Sequence, residues 1–444
     1  MGEEFGTIPF LNFNIDAFLN IAGDDPLTAM LYLFLHGGWI IFVFVFFWAL
    51  KYGWLEYIQN KANAKREWIL LRISIPKASE QTCRAAENLF ANLAGAHSPA
   101  GWTETWLKGA TQAALSVEIA SIDGEVGLYV HSLRGMRDLV EASIYAQYPD
   151  AEIEEVEDFA KKVPADYPDE KYDMWGTEMR TIMPDPFPIK TYLEFEDKIS
   201  GEFKDPLAAV FEIMSRLGKG EQAWFQIVIV PTDQREARGR AEKLVNKLKG
   251  IKEAPKKTWI DSLIEIPLGV VKDLVSVAMG GSASPAKSDK KEEFPRMMAL
   301  SPGEKMVLEA VERKTSKLGF MCKIRIVYVC KKEVFSKGKF VAPFIGAIKQ
   351  INTYNMQALA PESKRVGLKS DAWWFKEQRN AVRKGKLIRA YRSRSGSKGL
   401  KQFFLSVEEL ATLWHFPILM QVKAPSLRRI ESKKSEPPSY IPFS

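Results

Sequence analysis

Ten lysines and arginines crowd positions 376 to 401: Lys376, Arg379, Arg383, Lys384, Lys386, Arg389, Arg392, Arg394, Lys398 and Lys401, against one Glu377. Cations at this density neutralise phosphates or carboxylates, and such contacts hold a partner without reading its sequence. Trp373, Trp374 and Phe375 stand directly before them, placing aromatic surface beside the charge. The opposite charge gathers elsewhere: positions 150 to 173 hold ten Asp or Glu and three Lys. A solvated basic face is the plain explanation of the first segment, and a solvated acidic loop that of the second. The separation of charge within a chain of net charge +7 favours an acidic partner for 376–401, whether nucleic acid, anionic lipid or an acidic protein.

Other residue types that do chemistry are scattered. Cys83 stands alone, and Cys322 and Cys330 bracket one expected strand, so none has metal-ligand spacing. They read as buried thiols in a reducing compartment. His36, His97, His131 and His415 are isolated from one another and read as structural. There is no Gly-x-x-x-x-Gly-Lys-[Ser/Thr] loop, no Gly-x-Ser-x-Gly, no His-Glu-x-x-His and no dinucleotide-binding fingerprint. The expectation is a non-enzymatic protein without metal or cofactor. An enzyme whose groups converge only in three dimensions is the rival reading.

Stepping from charge to elements, positions 26 to 50 contain 25 residues and no charged side chain, between Asp25 and Lys51. A helix of about 20 apolar residues crosses a hydrocarbon core of about 30 Å, so this stretch reads as a transmembrane helix. Lys51, Lys61, Lys65 and Arg66 follow it, while residues 1–25 hold only acidic charges. The positive-inside rule then puts the N terminus outside and the bulk of the chain in the cytoplasm, as a single-pass protein of the inner (cytoplasmic) membrane. Those cations would also attract membrane lipid. Gly37-Gly38 hints at close helix packing and a homo-oligomer.

The pattern beyond residue 68 predicts a strand (68–76), a helix (79–94), two strands joined at Asp123-Gly124 (113–122 and 125–132), a helix (133–148) and a strand (151–156). This β-α-β-β-α-β order is that of a ferredoxin-like domain at 68–160. A comparable order at 185–360 begins with a strand at 189–195 and predicts a second α+β domain, interrupted at 255–293 by an amphipathic helix (258–279) and a flexible Gly/Ser/Lys linker. Residues 361–424 form a small basic region: a helix to 384, a basic loop or hairpin at 385–401, and a capping box at Ser406-Val407-Glu408-Glu409. A Pro-rich tail (425–444) closes the chain. The expected fold class is thus α+β, one N-terminal transmembrane helix followed by two ferredoxin-like cytoplasmic domains.

Several phrases together carry a family resemblance. They are Ile69-Leu70-Leu71-Arg72-Ile73-Ser74-Ile75-Pro76, Ser116-Val117-Glu118-Ile119, Tyr148-Pro149-Asp150-Ala151, Leu300-Ser301-Pro302-Gly303-Glu304-Lys305, and Glu408 to Trp414 with His415-Phe416-Pro417. The chain resembles the membrane-anchored domain that precedes the P-loop ATPase in type IV secretion or conjugation-like proteins of candidate phyla radiation bacteria. In that family the Pro-rich stretch leads into the motor, whereas here the chain stops at Ser444, so the expectation is either a motor on a separate polypeptide or a motor that this protein has lost. The resemblance implies a membrane platform in a DNA or protein transfer apparatus, with a P-loop translocation ATPase as partner and DNA as a candidate cargo. It carries no nucleotide-binding or catalytic residue onto this chain. The alternative is a membrane-tethered nucleic-acid-binding protein using 376–401.

Overall fold

The computed structural model describes residues 26–35, 39–76, 81–196, 203–249, 301–368 and 374–417. The expected outer tail at 1–25, Gly37-Gly38, the helix at 258–279, the linker at 280–293, Trp373 and the tail at 425–444 lie outside the described residues. In chain order the elements are α1 (Pro26–Leu33), α2 (Trp39–Ala64), β1 (Trp68–Ser74), α3 (Cys83–Leu93), α4 (Trp102–Leu107), β2 (Leu115–Ile122), β3 (Glu125–Leu133), α5 (Arg137–Tyr145) and β4 (Glu152–Val156). There follow β5 (Tyr172–Thr181), α6 (Ala208–Ser215), β6 (Glu221–Pro231), α7 (Gln234–Lys249), α8 (Pro302–Ser316), β7 (Gly319–Lys331), α9 (Lys337–Lys349), β8 (Leu359–Pro361), α10 (Lys376–Arg392), β9 (Phe403–Ser406) and α11 (Val407–Leu413). They fall into two units, one within Met1–Glu67 and Ser98–Gln112, the other within Trp68–His97 and Ala113–Ser444.

The first unit holds α1, α2 and α4. Trp54 Nε1 donates to the Trp106 carbonyl at 3.3 Å, and Arg66 donates to the Thr111 hydroxyl and carbonyl at 3.0 and 2.8 Å. The expected transmembrane helix is overturned here. Its apolar run is divided between α1, of eight residues, and the first part of α2, which is uncharged only as far as Leu50. At about 1.5 Å per residue neither uncharged piece approaches the roughly 30 Å of a hydrocarbon core. Among the described residues no helix is long and apolar enough to cross a membrane. The single-pass inner-membrane assignment and its topology fall with that helix. The apolar side chains of the α2 run face outward nonetheless, Phe44 being 71% exposed and Phe47 63%.

In the second unit, period-two alternation gives the long strands one face for the main helical layer and an opposite face where polar residues are interspersed with apolar ones such as Leu70, Trp224 and Val327. Among the described residues the nine strands join one antiparallel sheet, in the order β4-β1-β3-β2-β6-β7-β5-β8, with β9 added beside β7. Two separate ferredoxin-like domains are therefore corrected to a single sheet. The joint is β2, which pairs with β6 along its whole length from Leu115↔Ile229 to Ile122↔Gln222. Two domains would each expose a long apolar edge there, and pairing the edges removes that liability. The expected strand at 189–195 is instead a short 3-10 turn, Tyr192–Phe195, and the first strand of this half is β5.

One face of the sheet carries Ile69, Leu71, Val117, Ile119, Val130, Phe225, Ile227, Ile324 and Ile326 and packs on the apolar sides of α3, α5, α6, α9 and α11. The phrases most specific to the resemblance meet in this layer. The Tyr148 and Phe416 rings lie 4.6 Å apart edge-to-face, and Trp414 bridges from Phe416 to Phe90. The Asp123-Gly124 hairpin forms with φ of 54° and 90°, the left-handed conformations such a turn needs. The Ser406/Glu409 capping box also forms, and Glu409 further accepts from Ile189 N at 2.8 Å and pairs with buried Lys314 at 3.1 Å.

Candidate acidic-partner interface and the buried charge row

On the opposite sheet face, strand registers line up polar residues into one row. Glu154, Arg72, Tyr129, Glu118, Gln226, Arg325 and Glu178 are consecutive partners across β4, β1, β3, β2, β6, β7 and β5. Glu118, Gln226, Arg325 and Glu178 are fully buried. They survive burial because each is bonded. Arg325 donates to Glu178 at 2.9 Å and to Gln226 Oε1 at 3.1 Å, and Gln226 Nε2 donates to Glu118 at 2.9 Å.

The basic segment is the lid on this row. α10 runs through Gly385, where the sequence suggested a break, because Leu387, Ile388 and Tyr391 bury themselves against Trp224, Val327 and Met174. Three turns of the helix thereby gain an apolar face, which outweighs one glycine at about 1 kcal/mol. Beyond the helix Arg394, in a left-handed conformation and 2% exposed, inserts between Glu118 (3.0 Å) and Asp158 (2.9 Å). Tyr391 Oη and Ser116 Oγ donate to the same Glu118 carboxylate at 3.1 and 2.7 Å. Burial alone would raise the Glu118 pKa, but the Arg394 charge and these hydrogen bonds outweigh it and hold the carboxyl below its ordinary value. Asp158 is lowered in the same way, burial being outweighed by Arg394. His131, stacked on Trp68 at 5.1 Å, is pushed down to about 3 by burial and by Arg394, so it stays neutral.

The loop after Arg394 is fastened by buried cations. Lys323 Nζ donates to the Lys398 carbonyl at 2.7 Å, and Arg325 donates to the carbonyls of Ser395 and Lys398 at 2.6 and 2.9 Å. Burial, with Arg325 alongside, lowers Lys323 to about 8 against the pull of Glu178. Leu400 N donates to Glu178 at 2.6 Å. Gly399 has φ of 97°, and a Cβ there would stand 2.3 Å from both Glu178 carboxylate oxygens. Gly399→Ala is therefore expected to cost about 2 kcal/mol or more from the left-handed backbone alone, read as a lower urea midpoint.

The ten cations of the sequence reading thus divide. Lys384 pairs with Asp173, Arg389 with Asp166 and Arg394 with Asp158, so three carboxylates of the acidic run at 150–173 already serve the basic segment. Arg392 donates to the Ala160 carbonyl at 2.8 Å and also to that of Val163, and Arg383 donates to the Gly367 carbonyl at 3.0 Å. Lys376, Arg379, Lys386, Lys398 and Lys401 are exposed, and none of their side-chain nitrogens is bonded among the described residues. Phe375 and Trp374, 67% and 58% exposed, stand at the start of this outward helix face, followed by Val382.

The buried row itself went unread in the sequence. Its signal was a charged or amide side chain inside a strand, on the face opposite the apolar alternation: Glu118 in β2, Gln226 in β6, Arg325 in β7 and Glu178 in β5, among other polar residues of the same strands. Among the described residues no group of three or more His, Cys, Asp or Glu could hold a metal ion. No curated protein matches the chain. The model of a family described as a domain of unknown function, DUF8128, matches residues 56–425, and with most of its length inside that match the chain belongs to this family.

Proposed function

We propose that the protein is a non-enzymatic binding platform whose outward α10 face engages nucleic acid. One observation carries the reading. The inner cations of the segment are held by the chain's own carboxylates and carbonyls, while Lys376, Arg379 and Lys386 are exposed, without a hydrogen bond or ion pair among the described residues, on the helix that exposed Trp374 and Phe375 precede. Cations that only solubilised a surface would have no need of exposed aromatic rings, whereas phosphates and base faces use both. Arg325 and Lys323 support the same reading by fixing the 395–400 loop, which sets Lys398 and Lys401 in a defined place. The resemblance adds a setting, a transfer apparatus working with a P-loop ATPase, and that part rests on the resemblance alone.

The test is fluorescence anisotropy of a labelled DNA oligonucleotide with the full chain across a salt series. Binding should weaken steeply with salt. Lys376→Glu, Arg379→Glu and Lys386→Glu together should lower affinity at least about tenfold and flatten the log–log salt slope by about 2–3. The fold should be unchanged, because these exposed side chains make no hydrogen bond or ion pair among the described residues. Undiminished binding by this variant would sink the proposal. Arg383 and Arg389 are poorer choices, since each already has an intramolecular partner.

A further inference from the structure

The polar row is sealed by α10 at its centre and opens at its other end. There Arg72, Ile122, Tyr129, Glu154, Phe159 and Gln222 line a cleft of about 430 Å³, with Glu155, Glu157 and Lys162 at its rim. A Cβ on Gly127 would meet the Tyr129 ring at 2.9 Å, so glycine lets that ring lie down on the strand. Phe159 packs on it at 5.1 Å, and the Arg72 guanidinium stands 6.0 Å from its centroid.

The wall of the cleft is β4, an outermost strand of the sheet. It pairs with β1 on one side only, and among the described residues no backbone hydrogen bond reaches its other side. Its sequence is Glu152-Ile153-Glu154-Glu155-Val156, followed by Glu157. Arg134 and Arg137 satisfy Glu155, Lys162 satisfies Glu157, and Arg72 is already bonded to Glu125. Glu152 and Glu154 have no ion pair among the described residues.

We propose that this edge is a docking site for an extended basic segment of a partner protein, added to the sheet as a further strand beside β4, with its arginine side chains set against Glu152 and Glu154. The open strand edge supplies backbone hydrogen bonds, and the carboxylates select the charge. A planar guanidinium presents two parallel donors to a carboxylate such as Glu154, which an ammonium would match less well. A second copy of the same strand is excluded, because it would set glutamates against glutamates. The carboxylates likewise repel phosphate, so this surface is separate from the outward face of α10.

The probe is a fluorescein-labelled peptide of alternating valine and arginine, titrated into the full chain. Saturable binding is expected. It should fall by about tenfold or more when alternate backbone nitrogens are methylated, which leaves charge intact and removes the strand hydrogen bonds. Glu154→Lys should weaken it by a comparable factor while thermal unfolding stays unchanged, since that side chain is exposed. Lysine in place of arginine should bind more weakly. Absence of saturable binding, equal binding of the methylated peptide, or binding indifferent to Glu154→Lys would each overturn the proposal.

Discussion

Arg394→Met is expected to be among the most damaging substitutions in this chain, costing about 3–5 kcal/mol, because it leaves Glu118 and Asp158 without their shared cation inside the protein. The side chain is nearly sealed, so solvent does not rescue the carboxylates. The sign of the pH effect follows from the lowered pKa values. Both carboxyls sit below their unfolded values in the native state. Their contribution is present above the unfolded carboxylate range and is lost as pH falls through the native pKa values. Urea denaturation across an acid series should therefore show a stability loss in the parent that is much reduced in Arg394→Met, where Glu118 can fold protonated. Adding Glu118→Gln to Arg394→Met should restore part of the loss, as expected for a coupled pair. Equal pH profiles for parent and Arg394→Met would contradict this account.

Asp205→Asn is the second large effect expected. His415 is fully buried, with Nδ1 2.7 Å from the Ala411 carbonyl and Nε2 3.0 Å from Asp205 Oδ1. Both partners are acceptors, so the ring carries both protons and the charge. Burial opposes that charge, but Cys83 and Asp205 prevail and raise the His415 pKa well above the ordinary histidine value. The imidazolium also lies at the C-terminal end of α11, where a cation is favoured. Removing the carboxylate should cost about 3–5 kcal/mol, since an uncompensated charge is left in the core. A raised native pKa gives stability that is full below the unfolded histidine value and declines as pH rises through the native one. The parent should lose stability on the alkaline side, and Asp205→Asn should lose most of that slope. A denaturation series that finds the slope intact in Asp205→Asn would assign it to another group.

These two ion clusters hold opposite sides of the same sheet. Arg394 fastens the basic segment over the polar row, and His415 fastens the end of α11 over the helical layer. The outward α10 face and the β4 edge are consequently presented on a fixed support. A binding surface needs that, because ordering it at the moment of contact would subtract from affinity.

Much of the local structure was legible from the residues in line. Alternation in 68–76 and 125–132, the Asp123-Gly124 turn and the Ser406-to-Glu409 capping box act over a few residues, and their signals are correspondingly local. The segregation of acidic and basic charge was equally plain. Three things were decided only by tertiary structure. β2 pairs with β6 over more than a hundred residues of chain, a register that no neighbouring residues encode, and so two expected domains became one sheet. Glu118, Gln226, Arg325 and Glu178 form a row only once four strands are in register, because along the chain each is one polar residue among others and nothing local pairs it with the rest. The basic segment found a large part of its acidic partner in the chain's own Asp158, Asp166 and Asp173, since Coulomb attraction depends on distance in space, and the fold brings positions 158 and 394 together.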